Sequence, residues 1–148
     1  MDYRLYAKDL LKRKNSLVSA HRIIKNELSS LEEEKISCKT SILNLQKNEN
    51  RKEESEKNSQ RLLNIILRTE DCTMRLKVVE RELMMIEQGM SGLTDYQKDL
   101  IDGFFINRKI GVCEELMEKH FRERSGIYRD RNKALDEFTR SVYGVLQL

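Results

Sequence analysis

The feature that most constrains the fold of this chain is a repeat of seven residues between positions 62 and 90. Apolar or small side chains alternate there in steps of three and four, at Leu62, Ile65, Thr69, Cys72, Leu76, Val79, Leu83, Ile86 and Met90. This spacing puts them on one stripe of an α-helix and is typical of a coiled coil. The chain contains no proline, a residue that costs about 3 kcal/mol in a helix interior. The sequence therefore predicts an all-α fold built on long helices.

A second repeat of seven precedes the first and predicts its partner helix. Its positions are Leu10, Leu17, Ile24, Leu31, Cys38 and Leu45. Residues 47–60, between the two repeats, include no apolar residue, and their asparagines and serines favour turns and caps. We therefore expect residues 1–90 to form a long antiparallel coiled-coil helical hairpin with a loop at about 47–60. Parallel self-association of either helix is the alternative.

The position of the loop also predicts which residues of the hairpin face each other. In an antiparallel pair the numbers of facing residues have a constant total, and a loop centred near Ser55 gives a total of 110. Cys38 would then face Cys72, close enough for an oxidant to link the two thiols. Because two helices alone bury a thin core, we also expect a homodimer through the coiled coil.

The carboxy-terminal residues 93–148 predict a separate three-helix domain. Gly89, Ser91 and Gly92 end the coiled coil, since glycine is favoured just past a helix end. Thr94 followed by Gln97 three residues later predicts a capping box at the start of a helix that runs to about residue 105. Further helices are expected at about 111–120 and 123–143, with a turn between them and Gly144 at the end. Two short helices joined by a tight turn are the helix-turn-helix layout.

Positive charge is concentrated on this turn and the helix after it. Between Lys119 and Lys133 there are six Lys or Arg residues and two acids, whereas the whole chain has a net charge of +3. A basic face on the second helix of such a layout is the usual footprint of a DNA-binding protein. A basic surface helix of an ordinary all-α protein is the alternative.

Several short motifs in residues 93–143 resemble the carboxy-terminal helix-turn-helix of bacterial sigma factors. They are Leu93-Thr94, Phe104-Phe105, Cys113-Glu114-Glu115-Leu116, Arg122-Glu123-Arg124 with Ile127, and Lys133-Ala134-Leu135. A coiled coil joined to one such domain is similar to small phage-encoded transcriptional activators of the RinA and ArpU type. The resemblance implies a regulator of transcription that binds double-stranded DNA and has RNA polymerase as a further partner.

In this interpretation the helix from about 123 to 143 enters the major groove with its amino-terminal half. Arginine can take guanine in a bidentate manner, and the residues expected to reach base edges are Arg124, Ser125, Tyr128 and Arg129. Cationic side chains around them hold phosphates without reading the sequence, and those expected here are Lys119, Arg122, Arg131 and Lys133. For each side chain, a solvated surface charge is the competing explanation.

Two other functions fit the same sequence. The hairpin could be the working surface of a coiled-coil scaffold or protein-interaction element without DNA. A small terminase subunit of a phage also combines a helix-turn-helix with helical oligomerisation, but it forms a ring of many subunits. The mass in solution therefore separates it from an activator that is a monomer or a dimer.

The sequence argues against an enzyme, a cofactor or a metal site. It has no glycine-rich phosphate loop and no H-E-x-x-H motif, and its three cysteines are scattered, with no C-x-x-C pair. No run approaches the roughly 20 apolar residues of a membrane span, and the amino terminus lacks the apolar core of a signal peptide. We therefore expect a cytoplasmic protein of a bacterium or a phage-infected host cell.

Overall fold

The computed structural model of the chain describes residues 1–45 and 52–148. Within these ranges the regular structure is entirely helical, which confirms the predicted all-α fold. The elements are α1 (Tyr3–Lys12), α2 (Lys14–Leu45), α3 (Lys52–Ser91), α4 (Asp95–Ile101), a π-helical segment (Asp102–Ile106), α5 (Val112–His120) and α6 (Arg124–Tyr143).

The chain divides into two compact units whose boundaries differ from the predicted ones. The terminal unit consists of residues 1–18 and 81–148, and the hairpin unit consists of residues 19–80. The sequence analysis assigned the first 18 residues to the coiled coil because Leu10 and Leu17 continue its repeat. Both side chains are buried, as expected, but they belong to the terminal unit.

In the hairpin unit, α2 and α3 run antiparallel, as predicted. Their shared core consists of buried Ile24, Leu31, Cys38, Ile65 and Cys72. Around it pack the half-buried side chains of Leu28, Ile42, Leu62, Leu76 and Val79. Eight of the ten belong to the two predicted repeats, and Leu28 and Ile42 lie one turn away from repeat positions on the same side of α2.

The register of this hairpin differs from the predicted one. His21 Nε2 lies 3.1 Å from Glu80 Oε1, and an Arg75 nitrogen lies 3.4 Å from Glu27 Oε2. The residue numbers of these partners total 101 and 102, whereas a loop centred at residue 55 requires 110. Cys38 and Asn58, which are also in contact, total 96, so the helices are slipped by one to two heptads. Such a slip keeps the same apolar stripes in contact, because both helices repeat every seven residues.

The predicted approach of Cys38 to Cys72 is therefore wrong. Cys38 Sγ donates a hydrogen bond to the carbonyl oxygen of Asn58 at 3.1 Å. Cys72 lies about four turns, or roughly 20 Å, further along α3 than Asn58. Burial, followed by the nearby Glu27 carboxylate, raises the pKa of the Cys72 thiol. Because of this separation along α3, the two thiols occupy different levels of the hairpin.

Part of the predicted loop is helical. Helix α3 begins at Lys52, so residues 52–60 of the predicted loop are helical. The acidic side chains of Glu53 and Glu54 lie in its first turn, where they interact favourably with the positive end of the helix dipole. Residues 47–51 of the predicted loop, and the Leu45 side chain of the predicted stripe, lie outside the described residues.

In the terminal unit, α6 is the central helix and contacts α1, α4 and α5. One part of the core consists of Leu100, Val112, Cys113, Leu116 and Ile127, which join α4, α5 and α6. Phe138, in the carboxy-terminal half of α6, is fully buried. Helix α6 is therefore fixed along most of its length by helices on several sides.

Two glycines allow helices of the terminal unit to approach closely. A Cβ atom on Gly89 of α3 would overlap the ring of Phe138 and lie 2.6 Å from Val142 Cγ2. A Cβ atom on Gly103 of the π-helical segment would overlap Val112 of α5. At both positions the neighbouring side chain occupies the space that any larger residue needs.

The predicted helix ends of the carboxy-terminal domain are confirmed. The Thr94 hydroxyl accepts from the Gln97 backbone N–H at 3.2 Å, and Gln97 Oε1 accepts from the Thr94 N–H at 3.0 Å, so the capping box is complete. Gly144 ends α6 in the left-handed conformation, with φ of 66°. Among the described helices, none has the length and apolar character needed to cross a membrane.

Candidate nucleic-acid interface

Helices α5 and α6 are joined by the tight turn that the sequence predicts. Phe121 follows α5 in the left-handed conformation, with φ of 53°, and its side chain is 94% exposed. The Arg122 N–H donates to the Met117 carbonyl at 3.2 Å, which closes the end of α5. Glu123 is the N-cap of α6 in an extended conformation but makes no side-chain capping bond. The backbone thus has the helix-turn-helix layout.

A set of polar contacts, here called the clasp, fastens α4 to the helix-turn-helix. The Tyr96 hydroxyl donates to Asp130 Oδ2 of α6 at 2.8 Å, and burial together with this bond raises the pKa of Tyr96 to about 12. Asp99 accepts from Lys119 Nζ at 2.8 Å and lies 3.0 Å from His120 Nε2. The bond from Lys119 holds the pKa of Asp99 below its usual value. The clasp fixes the orientation of α5 and α6 on the side that faces α4.

Three of the four predicted base-reading residues are exposed on the amino-terminal half of α6. Ser125 and Arg129 are exposed and form no hydrogen bond or ion pair within the described residues. Arg124 is also exposed, but its Nη2 lies 2.5 Å from Glu114 Oε1 of α5, and this bond raises the pKa of Arg124. Ser125 and Arg129 are therefore available to a ligand, whereas Arg124 must exchange a partner first.

The fourth, Tyr128, belongs to the edge of the core. Its ring packs against Phe104 with 5.8 Å between the ring centroids. The guanidinium of Arg131, a predicted phosphate contact, stacks 4.9 Å above Tyr128 and 5.2 Å from the Phe104 centroid. Both residues lie on a side of α6 that faces another element of the fold. The structure therefore separates them from Ser125 and Arg129.

The remaining predicted phosphate contacts differ in whether their charged groups already have a partner within the protein. Lys119 is held by Asp99, as described for the clasp. Arg122 is exposed and its guanidinium lies 5.4 Å from the centroid of the Tyr96 ring. Lys133 is exposed and, with Arg122, lines a shallow polar cavity of about 200 Å³. Arg122 and Lys133 thus flank one side of the exposed face of α6.

Asn132 is an exposed residue of this face that the sequence analysis missed. It lies seven residues after Ser125 and three after Arg129, a spacing that puts all three on one side of a helix. Its Oδ1 accepts from Arg131 at 3.1 and 3.2 Å, and its amide N–H groups donate no hydrogen bond within the described residues. Helical spacing was the signal that could have found it, in place of proximity to the helix start.

The sequence analysis also missed the part of α1 that lies beside this face. Arg4 donates from Nε and Nη2 to the two carboxylate oxygens of Asp136, at 2.6 and 3.1 Å. Lys8 follows one turn later on the same side of α1. The sequence analysis assigned residues 1–18 to the coiled coil and therefore did not place Arg4 and Lys8 beside α6.

The described residues include no group of three or more His, Cys, Asp or Glu side chains arranged to hold a metal ion. Comparison of the chain with protein-family models, curated proteins and solved structures found no match. The chemistry of the exposed face of α6 therefore has to support any functional assignment by itself.

Proposed function

We propose that this protein is a DNA-binding regulator of transcription, of the phage activator type, that reads the major groove with the amino-terminal half of α6. One observation carries the proposal. Helix α6 presents one polar, solvent-facing stripe formed by Ser125, Arg129 and Asn132. Its other sides pack against neighbouring helices, and the clasp joins it to α4. A rigid helix with a hydrogen-bonding outer face is what direct readout of base edges requires.

Each side chain of the stripe has a complementary partner on a base pair. Arg129 can donate two hydrogen bonds to the O6 and N7 of guanine, and Asn132 can pair with the N6 and N7 of adenine. The Ser125 hydroxyl can serve either. Arg122 and Lys133 then hold phosphates on one flank and set the angle at which α6 enters the groove.

A genomic binding experiment tests this proposal. Purified protein is mixed with fragments of its source genome and competitor DNA, and bound fragments are recovered at several salt concentrations. Recovery of a few fragments, with a log–log salt slope of several units, is the expected result. Weak binding without sequence preference contradicts the regulator and directs the search to protein partners of the hairpin unit.

Two substitutions then separate base reading from phosphate binding. Arg129→Ala should reduce the preference for the recovered site over mismatched DNA by about 1–3 kcal/mol. Lys133→Ala should weaken binding to all sequences alike and lower the salt slope by about one unit. Lys25→Ala removes the same charge from the hairpin unit and serves as the control. Unchanged binding by both α6 variants would show that another surface contacts DNA.

The partner expected for the hairpin unit is a second copy of the chain. Leu63, Leu67, Met74 and Val78 are each more than half exposed and lie on the side of α3 away from α2. Exposed Glu70 and Lys77 accompany them, with no ion-pair partner within the described residues. Antiparallel pairing of two α3 helices about Met74 brings Glu70 of each copy near Lys77 of the other, whereas parallel pairing places like charges together.

Solution mass tests this arrangement. We expect twice the chain mass of 17.6 kDa, and Met74→Glu should give monomers because two carboxylates would meet at the axis. Ile36→Glu, at an equally exposed apolar residue of α2, is the matched control and should remain dimeric. A mass corresponding to a large ring would favour a small terminase subunit instead.

A transcriptional activator also has to engage RNA polymerase, which is the further partner that the sequence resemblance supports. This function places the protein in the cytoplasm of a bacterial or phage-infected cell. Pull-down of purified host polymerase by the wild-type chain, in the presence of its DNA site, is the corresponding measurement.

A further inference from the structure

Helix α1 packs along one side of α6. The rings of Tyr3 and Tyr143 are 5.6 Å apart, and Arg4 pairs with Asp136, so α1 runs antiparallel to α6. One turn further on, Lys8 reaches the level of Asn132. The start of the chain thus ends up beside the exposed stripe of α6.

The Arg4–Asp136 pair changes the charge of that stripe. Asp136 lies four residues after Asn132, on the same side of α6 as Arg129. An unpaired carboxylate there would repel a polyanion. The Arg4 guanidinium donates one hydrogen bond to each oxygen of the Asp136 carboxylate, and this pairing raises the pKa of Arg4. A cation from α1 therefore neutralises the acid on the outer face of α6.

The two helices also enclose a cleft of about 310 Å³, lined by Arg4, Lys8, Asn132, Leu135 and Asp136. Lys8 is exposed and makes no hydrogen bond or ion pair within the described residues. With the acid of the cleft already paired, its available polar groups are donors: the Lys8 ammonium and the Asn132 amide. Donors around an open cleft fit an anion with several acceptor oxygens.

We propose that this cleft binds a backbone phosphate of double-stranded DNA, with the Lys8 ammonium as the donor. The inference rests on the proposed function, because the same duplex occupies the exposed stripe of α6. Arg122 and Lys133 hold the backbone on one flank of α6, and α1 holds it on the other. Two such contacts fix the position of a recognition helix in the groove without reading bases.

The test compares Lys8→Ala with Lys25→Ala on the cognate duplex. Both substitutions remove one exposed positive charge, but only the first removes a phosphate donor. Lys8→Ala should lower the log–log salt slope by about 0.9. Its binding penalty should then be about threefold larger at 50 mM than at 200 mM salt, as follows from that slope. Lys8→Arg, which keeps the charge, should restore most of the affinity.

A duplex scanned with single neutral methylphosphonates locates the contact. Wild-type protein should lose affinity at each contacted phosphate, and at one of these Lys8→Ala should show no further loss. Equal salt slopes for Lys8→Ala and wild type, with Arg129→Ala still impaired, would overturn the α1 contact alone. Absence of any DNA binding by the wild type would overturn the contact and the proposed function together.

The neutralising role of Arg4 has its own measurement. Arg4→Ala should weaken DNA binding severalfold because it uncovers the Asp136 carboxylate. The double variant Arg4→Ala/Asp136→Asn should recover nearly wild-type affinity, since no charge is left to repel the backbone. A double variant as weak as Arg4→Ala would refute neutralisation. Thermal melts of each variant verify that α1 stays folded.

Discussion

Two glycine-to-alanine substitutions in helices should change stability in opposite directions. Gly126 is the third residue of α6, and Gly89 is close to the end of α3. Alanine favours a helix over glycine by up to about 1 kcal/mol at either position. The surroundings differ, however. A Cβ on Gly126 meets only Arg129 Nη2, at 3.9 Å, whereas a Cβ on Gly89 overlaps the buried ring of Phe138.

These surroundings give the expected magnitudes. Gly126→Ala should raise the free energy of unfolding by about 0.5 kcal/mol, less than the full value because the first turn of a helix is incompletely ordered. Gly89→Ala should lower it by about 1–2 kcal/mol, since overpacking a filled core costs about 1–3 kcal/mol and exceeds the gain in helix propensity. Phe138 is fully buried and has little room to move aside.

Urea unfolding of both variants, monitored by circular dichroism, measures the difference. An unchanged dependence on urea concentration verifies that only stability has changed. Phe138→Leu should cost less in the Gly89→Ala background than in the wild type, because it removes ring atoms that the new methyl group meets. If Gly89→Ala were as stable as wild type, the close packing of α3 on α6 would be refuted.

Three further predictions concern the clasp and the thiols. Tyr96→Phe removes a hydrogen bond to a carboxylate of α6 and should lower the free energy of unfolding in urea by about 1.5 kcal/mol. Asp99→Asn should cost about 0.5 kcal/mol at pH 7; because pairing lowers the pKa of Asp99 in the folded state, this difference should fade only as the pH drops below the ordinary value of 3.8. Mild oxidation should leave Cys38 and Cys72 unlinked within one chain, as mass spectrometry under non-reducing conditions can establish, and an intramolecular disulfide would contradict the slipped register.

The placement of the candidate interface could be predicted only in part. Charge and the turn pattern identified α6, and Ser125 and Arg129 lie where the sequence analysis placed them. The packing of Tyr128 could not be predicted, because it depends on Phe104, a residue distant in sequence that lies in the π-helical segment. Asn132 was missed because helical spacing was not followed beyond the first turn and a half of the helix.

What the sequence determined by itself is local. The helices, their caps and the apolar stripe of each follow from interactions between residues within a few turns of each other, as the capping box at Thr94 illustrates. Contacts between distant residues are different in kind. A seven-residue repeat matches its partner equally well after a slip of whole heptads, so the repeat alone leaves the register open. The same repeat runs through residues 1–18, but α1 packs against α6 and belongs to the terminal unit. The repeat could not predict this, because the hydrophobic effect stabilises the burial of an apolar stripe against any apolar partner.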